Sequence, residues 1–392
     1  MIDVPGEYEL SNNLYGVNTS NPLSVEACIF IPVSDVTLDC KGYSITGNYS
    51  NGLSNSFGIL AATQPGSITN ITLRNCTVSN YTNVSAVVGL AAGVMFYNAN
   101  NTYVDNMTLY NNMFGIFAGS DAVSENITVS NSNIYFVGKG ISAGSLYNLS
   151  ISSVNVSNTS DAGIDVSDSV LVSVSDTNIT NIDGIGIDFK NTTYGTISNA
   201  YVYNTSGDGI RLILSNYTTL SDSVLIYGSG AFSSGIYVLN TSHSLFDGIE
   251  VSGYPVNSLL IEDESHFSNF SNIVLHSSGY GYDWAPLIQL NNASVGVFPQ
   301  YNNFTNITLY NASRYIAFSI PESSVETNFT NFSLCYNSSQ GTCIIYNHLN
   351  LTTAYVGNFS GTANILIGQD FVSLDPTVWG AEQFNRSANI TL

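Results

Sequence analysis

The densest set of groups able to move protons lies at Asp161, Asp165, Asp168, Asp183, Asp188 and Asp208, with Lys190 and Arg211 nearby. Asp165, Asp188 and Arg211 each follow a Gly-Ile pair, and the three stand 23 residues apart. If one turn of a repeating backbone takes up each interval, these side chains share an outward column. The two carboxylates would then lie about 5 Å apart, the separation of a retaining glycosidase pair. Like charges that close raise one pKa, as a general acid requires. The same oxygens could hold calcium. The competing reading is structural: Asp stands in for Asn at turns, and Lys190 and Arg211 balance charge. That reading is preferred, so no catalytic residue and no cofactor other than calcium is expected. If the chain is an enzyme, Asp165, Asp188 and Arg211 carry the reaction.

A second candidate is the run Tyr280-Gly281-Tyr282-Asp283-Trp284. Rings beside a carboxylate stack on sugars and hydrogen-bond them, which makes Tyr280, Tyr282, Asp283 and Trp284 candidate carbohydrate contacts. The loop could equally fold back over a strand edge. Gly140-Ile141-Ser142-Ala143-Gly144 has the spacing of a nucleophile elbow, yet it sits in a repeating strand with no following helix. His243, His266, His276 and His348 lack metal-ligand spacing, so no metal site is expected. Cys335 and Cys343 bracket a seven-residue loop that a disulfide could close. Cys28 and Cys40 flank one repeat and are a further possible pair.

The elements that must position these groups follow from periodicity. Gly-Ile recurs at 140, 163, 186, 209 and 235, and glycine with an apolar strand also at 58 and 115. About a dozen residues behind each comes Asn or Asp followed by an apolar, polar, apolar run. Examples are Asp35-Val36-Thr37-Leu38, Asn70-Ile71-Thr72-Leu73, Asn106-Met107-Thr108-Leu109 and Asn126-Ile127-Thr128-Val129. Alternation with period two marks half-buried strands, and no stretch has helical periodicity. Short strands with Asn at a fixed corner describe a right-handed parallel β-helix of about 13 coils, each about 4.8 Å from the next. Residues 1–27 are expected to cap it and residues 28–392 to form one continuous solenoid.

The segment Cys28-Ile29-Phe30-Ile31 through Val36-Thr37-Leu38-Asp39-Cys40-Lys41-Gly42-Tyr43-Ser44-Ile45 resembles the opening coils of pectate-lyase-like β-helix proteins. In flavour it is similar to the carbohydrate-binding and sugar-hydrolase repeat proteins of archaeal surfaces. The resemblance implies fold more than activity. Polygalacturonase relatives carry His-containing and Arg-Ile-Lys motifs that this chain lacks. Pectate lyases need an Arg or Lys base on a calcium face, and only Arg211 is roughly placed.

Charge excludes some partners. Twenty-eight acids face seven bases, for a net charge of −21, which repels nucleic acid and anionic membranes. The apolar stretch 86–97 is too short to cross a bilayer, so no membrane insertion is expected. Residues 1–10 lack the features of a signal peptide, and the chain reads as an ectodomain whose flanking anchors are missing.

Asn-x-Ser/Thr occurs 29 times, against about ten expected by chance. Repeat corners account for Asn70, Asn106, Asn126, Asn306 and Asn331, and a second turn column for Asn75, Asn158, Asn204 and Asn311. The remaining sequons are expected to carry glycans. They include Asn18, Asn48, Asn80, Asn83, Asn148, Asn191, Asn216, Asn240, Asn269, Asn292, Asn337, Asn350, Asn358 and Asn385. The leading expectation is a non-enzymatic, glycosylated extracellular protein: an adhesin, an envelope-layer component or a filament subunit. Its partners would be copies of itself, other surface proteins or polysaccharide. The runner-up is a secreted carbohydrate-active β-helix, and a viral receptor-binding spike comes third.

Overall fold

Alternating apolar and polar residues can bury one side of a strand only if another strand covers it, and each short coil here is covered by the next. In a computed structural model, residues 1–16, 26–47, 56–63, 66–82, 90–119, 123–279, 281, 286–291 and 297–310 are described, with the backbone of strands at 19–20 and between 318 and 391. All regular structure among the described residues is strand. The chain divides into two compact units, residues 1–196 and 197–392.

In the first unit each coil passes through three strands. One coil reads Phe114–Gly119, Ser124–Ser130 and Asn133–Tyr135, and the next reads Lys139–Gly144, Leu146–Ser152 and Asn155–Thr159. Equivalent strands pair in parallel, Ile116 with Ile141, Ile127 with Leu149 and Ile134 with Val156. These partners point inward and are buried. The architecture is a right-handed parallel β-helix. The second unit repeats the plan, and its core carries a ring stack of Phe246, Phe270 and Phe304 with centroids 4.4 and 4.5 Å apart.

The recurrent glycine of the first strand column is a matter of space. A Cβ on Gly140 would lie 2.3 Å from the Gly163 carbonyl oxygen and 2.5 Å from Val156 Cγ1, so no larger residue fits. Corners are left-handed and mostly Asn or Asp, which adopt positive φ at little cost. Their side chains form ladders along the coils: Asn106 Nδ2 donates to Asn75 Oδ1 (2.7 Å), and Asn75 Nδ2 to Asp39 Oδ1 (2.9 Å).

Three expectations change. Strands Gly6–Glu9 and Leu14–Tyr15 pair in parallel with Val36–Asp39 and Ser44–Thr46, so strand columns begin within the stretch read as a cap. At the other end, Thr327–Cys335 pairs in parallel with Asn303–Tyr310, but Cys343–Leu351 returns antiparallel to it. Seven residues between those strands are too few for a crossover, so the parallel solenoid does not reach residue 392. Beyond it, Ala354–Phe359, Thr362–Ile367 and Asp370–Ser373 pair antiparallel. Finally, Cys40 bonds Cys76, not Cys28. Stacking brings the corner of the next coil to a Cα distance of 4.8 Å from Cys40, while Cys28 lies buried in the strand Glu26–Ile31.

Candidate functional site

Asp165 and Asp188 occupy the second positions of Ile164–Ser167 and Ile187–Lys190 and are direct partners in the ladder. The shared column read from the 23-residue step is therefore present. What the sequence reading missed is who sits between the carboxylates. Lys139, from the preceding coil, donates to Asp165 Oδ2 and lies 3.5 Å from Asp161. Lys190 Nζ stands 2.6 Å from Asp188 Oδ2 and 3.6 Å from Asp165 Oδ1. Asp188 is only 2% exposed. Burial pulls the Lys139 ammonium down, but its hydrogen bond to Asp165 and the charges of Asp165 and Asp161 outweigh this and raise its pKa. The expected pair of mutually repelling carboxylates is thus an alternating row of acids and ammonium groups. The signal available in sequence was Lys139 itself, directly before the repeated Gly-Ile of its coil.

Arg211 lies in the second unit, at the second position of Ile210–Ile213, and its ladder partner is Tyr237. Asp168 accepts from Asn191 Nδ2 (2.8 Å), and Asp208 Oδ1 from the Ser234 amide (2.8 Å). Asp168, with a φ of 50°, serves a left-handed corner as Asn does elsewhere. Among the described residues no three His, Cys, Asp or Glu converge as a metal site. Tyr280, Tyr282, Asp283 and Trp284 lie outside the described residues.

The sequons separate by what their Nδ2 does, since that nitrogen carries an N-glycan. Asn148 and Asn191 donate it to Asn126 and Asp168. They are therefore ladder members, although both are among the sequons expected to carry glycans. Asn80 and Asn269 are ladder members too, accepting from Asn111 (3.3 Å) and Asn303 (3.1 Å). Asn216 and Asn240 also accept through Oδ1, but from the backbone amides of Ser242 (2.7 Å) and Glu264 (3.1 Å) and not from a ladder side chain. Asn18, Asn48, Asn83, Asn292, Asn337 and Asn385 lie outside the described residues. So do the side chains of Asn350, Asn358, Cys335 and Cys343, although backbone pairing sets Cys335 opposite Cys343.

A feature absent from the sequence reading is an aromatic corner in the second unit. Tyr217, His243, Phe267 and Tyr301 take left-handed φ values of 57°, 58°, 55° and 56° in successive coils. Their rings stack with centroids 5.1, 5.2 and 4.9 Å apart. Tyr217 and Phe267 remain 47% and 49% exposed. Buried hydroxyls hold this corner: Ser244 Oγ accepts from the Thr218 amide and Ser268 Oγ from the Ser244 amide, each at 3.1 Å. Beside the stack lies an open cleft of about 570 Å³, lined by Asn216, Tyr217, Asn240, Ser242, His243 and Asp263, with Leu214, Glu264 and Val297. The textual signal was an aromatic or His before Ser or Thr at 217–218, 243–244 and 267–268.

No protein-family model and no curated protein matches the chain. Solved structures do, and they are pectin-lyase-like parallel β-helix proteins. One is the A-module of the Azotobacter vinelandii mannuronan C-5 epimerase AlgE6, at 13% identity and a TM-score of 0.50, covering 86% of this chain and 84% of that one. Another is the N-terminal fragment of gene product 12 of bacteriophage phi29, at 15% identity and a TM-score of 0.55, covering 85% and 61%. At such identities the likeness shows the fold alone.

Proposed function

We propose that the chain is a non-enzymatic, N-glycosylated protein of the extracellular surface, acting as an adhesin, envelope-layer component or filament subunit. The observation that carries this reading is the Lys139–Asp165–Lys190–Asp188 row. A glycosidase pair needs one carboxyl that donates a proton and another that attacks. Here each carboxylate is bonded to an ammonium group, and Asp188 is buried. The excess of sequons supports the extracellular setting. Partners in this reading are copies of the chain, other surface proteins or polysaccharide.

A second reading, a secreted carbohydrate-active β-helix, draws on the likeness to a mannuronan C-5 epimerase and on the register of Asp165 with Asp188. One experiment separates the two. The purified chain is incubated with a panel of neutral and acidic polysaccharides, and new reducing ends, unsaturated ends and epimerised units are measured. No turnover is expected. Turnover that vanishes in Asp188→Asn would replace the first reading with the second.

A further inference from the structure

We propose that the aromatic corner of the second unit and its adjoining cleft bind an uncharged sugar chain. The first argument is what the corner gives up. Bulky residues in the left-handed region crowd the backbone, and most corners hold Asn or Asp, often bonded along the ladder, although Phe136, Leu171, Tyr194, Leu214 and Tyr227 also take left-handed φ. Four successive coils instead place a ring there and leave much of it in water. Conformational strain of this kind persists where the surroundings enforce it and points to use. The rings face one another, so a ligand meets their rims. The C–H face of a pyranose can cover such a ridge, and Leu214 and Val297 extend it.

The polar lining provides the second argument. Asn216 and Asn240 are fixed through Oδ1 by the amides of Ser242 and Glu264. Among the described residues neither Nδ2 group has a protein acceptor, so each presents donors held in place. The exposed Glu264 carboxylate in the same lining can accept hydrogen bonds from sugar hydroxyls, and the buried Asp263 adds negative charge beside it. They also exclude anionic chains such as uronates, as does the net charge of −21. A cleft of about 570 Å³ is within the usual range for small-ligand sites. The sugar has two conceivable sources: a polysaccharide in solution, or a glycan carried by the sequons at Asn216 and Asn240.

The test uses the full chain made in a host without N-glycosylation, so that the cleft is bare. Neutral hexasaccharides of glucose, mannose and N-acetylglucosamine are titrated calorimetrically, with a polygalacturonate hexasaccharide as the anionic control. Binding of at least one neutral chain, and not of the uronate, is expected. Tyr217→Asn and Phe267→Asn keep a residue suited to positive φ and should weaken binding roughly tenfold each at an unchanged melting midpoint. The same titration on glycosylated chain identifies the source. Retained binding assigns a polysaccharide, and binding lost with the glycan in place assigns the chain's own sugar. Absence of neutral binding at millimolar ligand, equal binding of the uronate, or full affinity in both folded variants would overturn the site. No turnover is measured, so the outcome is independent of whether the Asp165 row is catalytic.

Discussion

Asn148 and Asn216 sit in the same three-letter motif, yet their amides do opposite work. Asn148 Nδ2 is spent on Asn126 at 2.7 Å, whereas Asn216 is held through its oxygen, which accepts from the Ser242 amide. Sugar transfer to a ladder nitrogen replaces one of its two hydrogens and sets a bulky group against the stacked neighbour; displacing the ladder hydrogen bond costs about 1 kcal/mol. Site-resolved glycopeptide mass spectrometry of the chain from a glycosylating host should therefore find Asn216 and Asn240 occupied. Asn148 and Asn191 should be at most sparsely modified. Full occupancy of Asn148 with Asn216 bare would reverse this ordering. The sequence showed which asparagines were sequons but not which end of each amide was engaged. The same blindness hid Lys139, whose reach to Asp165 depends on a coil boundary no spacing rule marks. It hid Cys76 as well, because Cys40 meets it only once residues 41–75 complete a coil.

At the level of the strand, repetition made the fold legible. Gly-Ile and Asn-apolar-Thr-apolar recur because each coil must fit the one before it, and the register of Ile141, Ile164 and Ile187 follows their 23-residue step. Reading the recurrent glycine as a turn marker would miss its cause. Gly140→Ala forces a methyl group to within 2.3 Å of the Gly163 carbonyl oxygen, a contact real Cβ atoms do not make. Overpacking of this kind costs about 1–3 kcal/mol. A lower urea midpoint is expected for Gly140→Ala, with Gly144→Ala as the control, because the nearest atom there is the Ser167 hydroxyl at 3.2 Å. Equal midpoints for the two variants would refute the spacing argument. The aromatic corner is hidden in the sequence because the repeat is marked by Asn at that position. Where a ring replaces Asn, the pattern looks broken although the φ value is kept.

On the scale of the whole molecule, 28 acids and seven bases invite the expectation that acidification relieves repulsion and stabilises the fold. The bonded acids argue the reverse. Burial alone would raise the Asp39 pKa, but bonds from Asn75 and the Lys41 amide, with the charges of Lys41 and Arg74, hold it at about 2, below the usual 3.8. Asp247 is lowered by hydrogen bonds from Ser271 and Asn272. A carboxylate depressed in the fold contributes stability that is present above its unfolded pKa and lost as pH falls through the folded one. For Asp39 that window runs from 3.8 down to about 2. His266, lowered chiefly by burial, adds a loss that starts as pH falls below its ordinary 6.5. All three point the same way, and Lys139 and Lys190 already neutralise the column where repulsion was expected. Calcium has no unpaired carboxylate pair to relieve there, so it should leave the melt unchanged at neutral pH. Thermal midpoints are therefore expected to fall between pH 4.5 and 2.5. Asp39→Asn should begin lower at pH 7 and lose less on acidification, because the charge that binds Lys41 and Arg74 is already gone. A midpoint at pH 2.5 above that at pH 7 would mean that repulsion among the exposed acids outweighs these bonds.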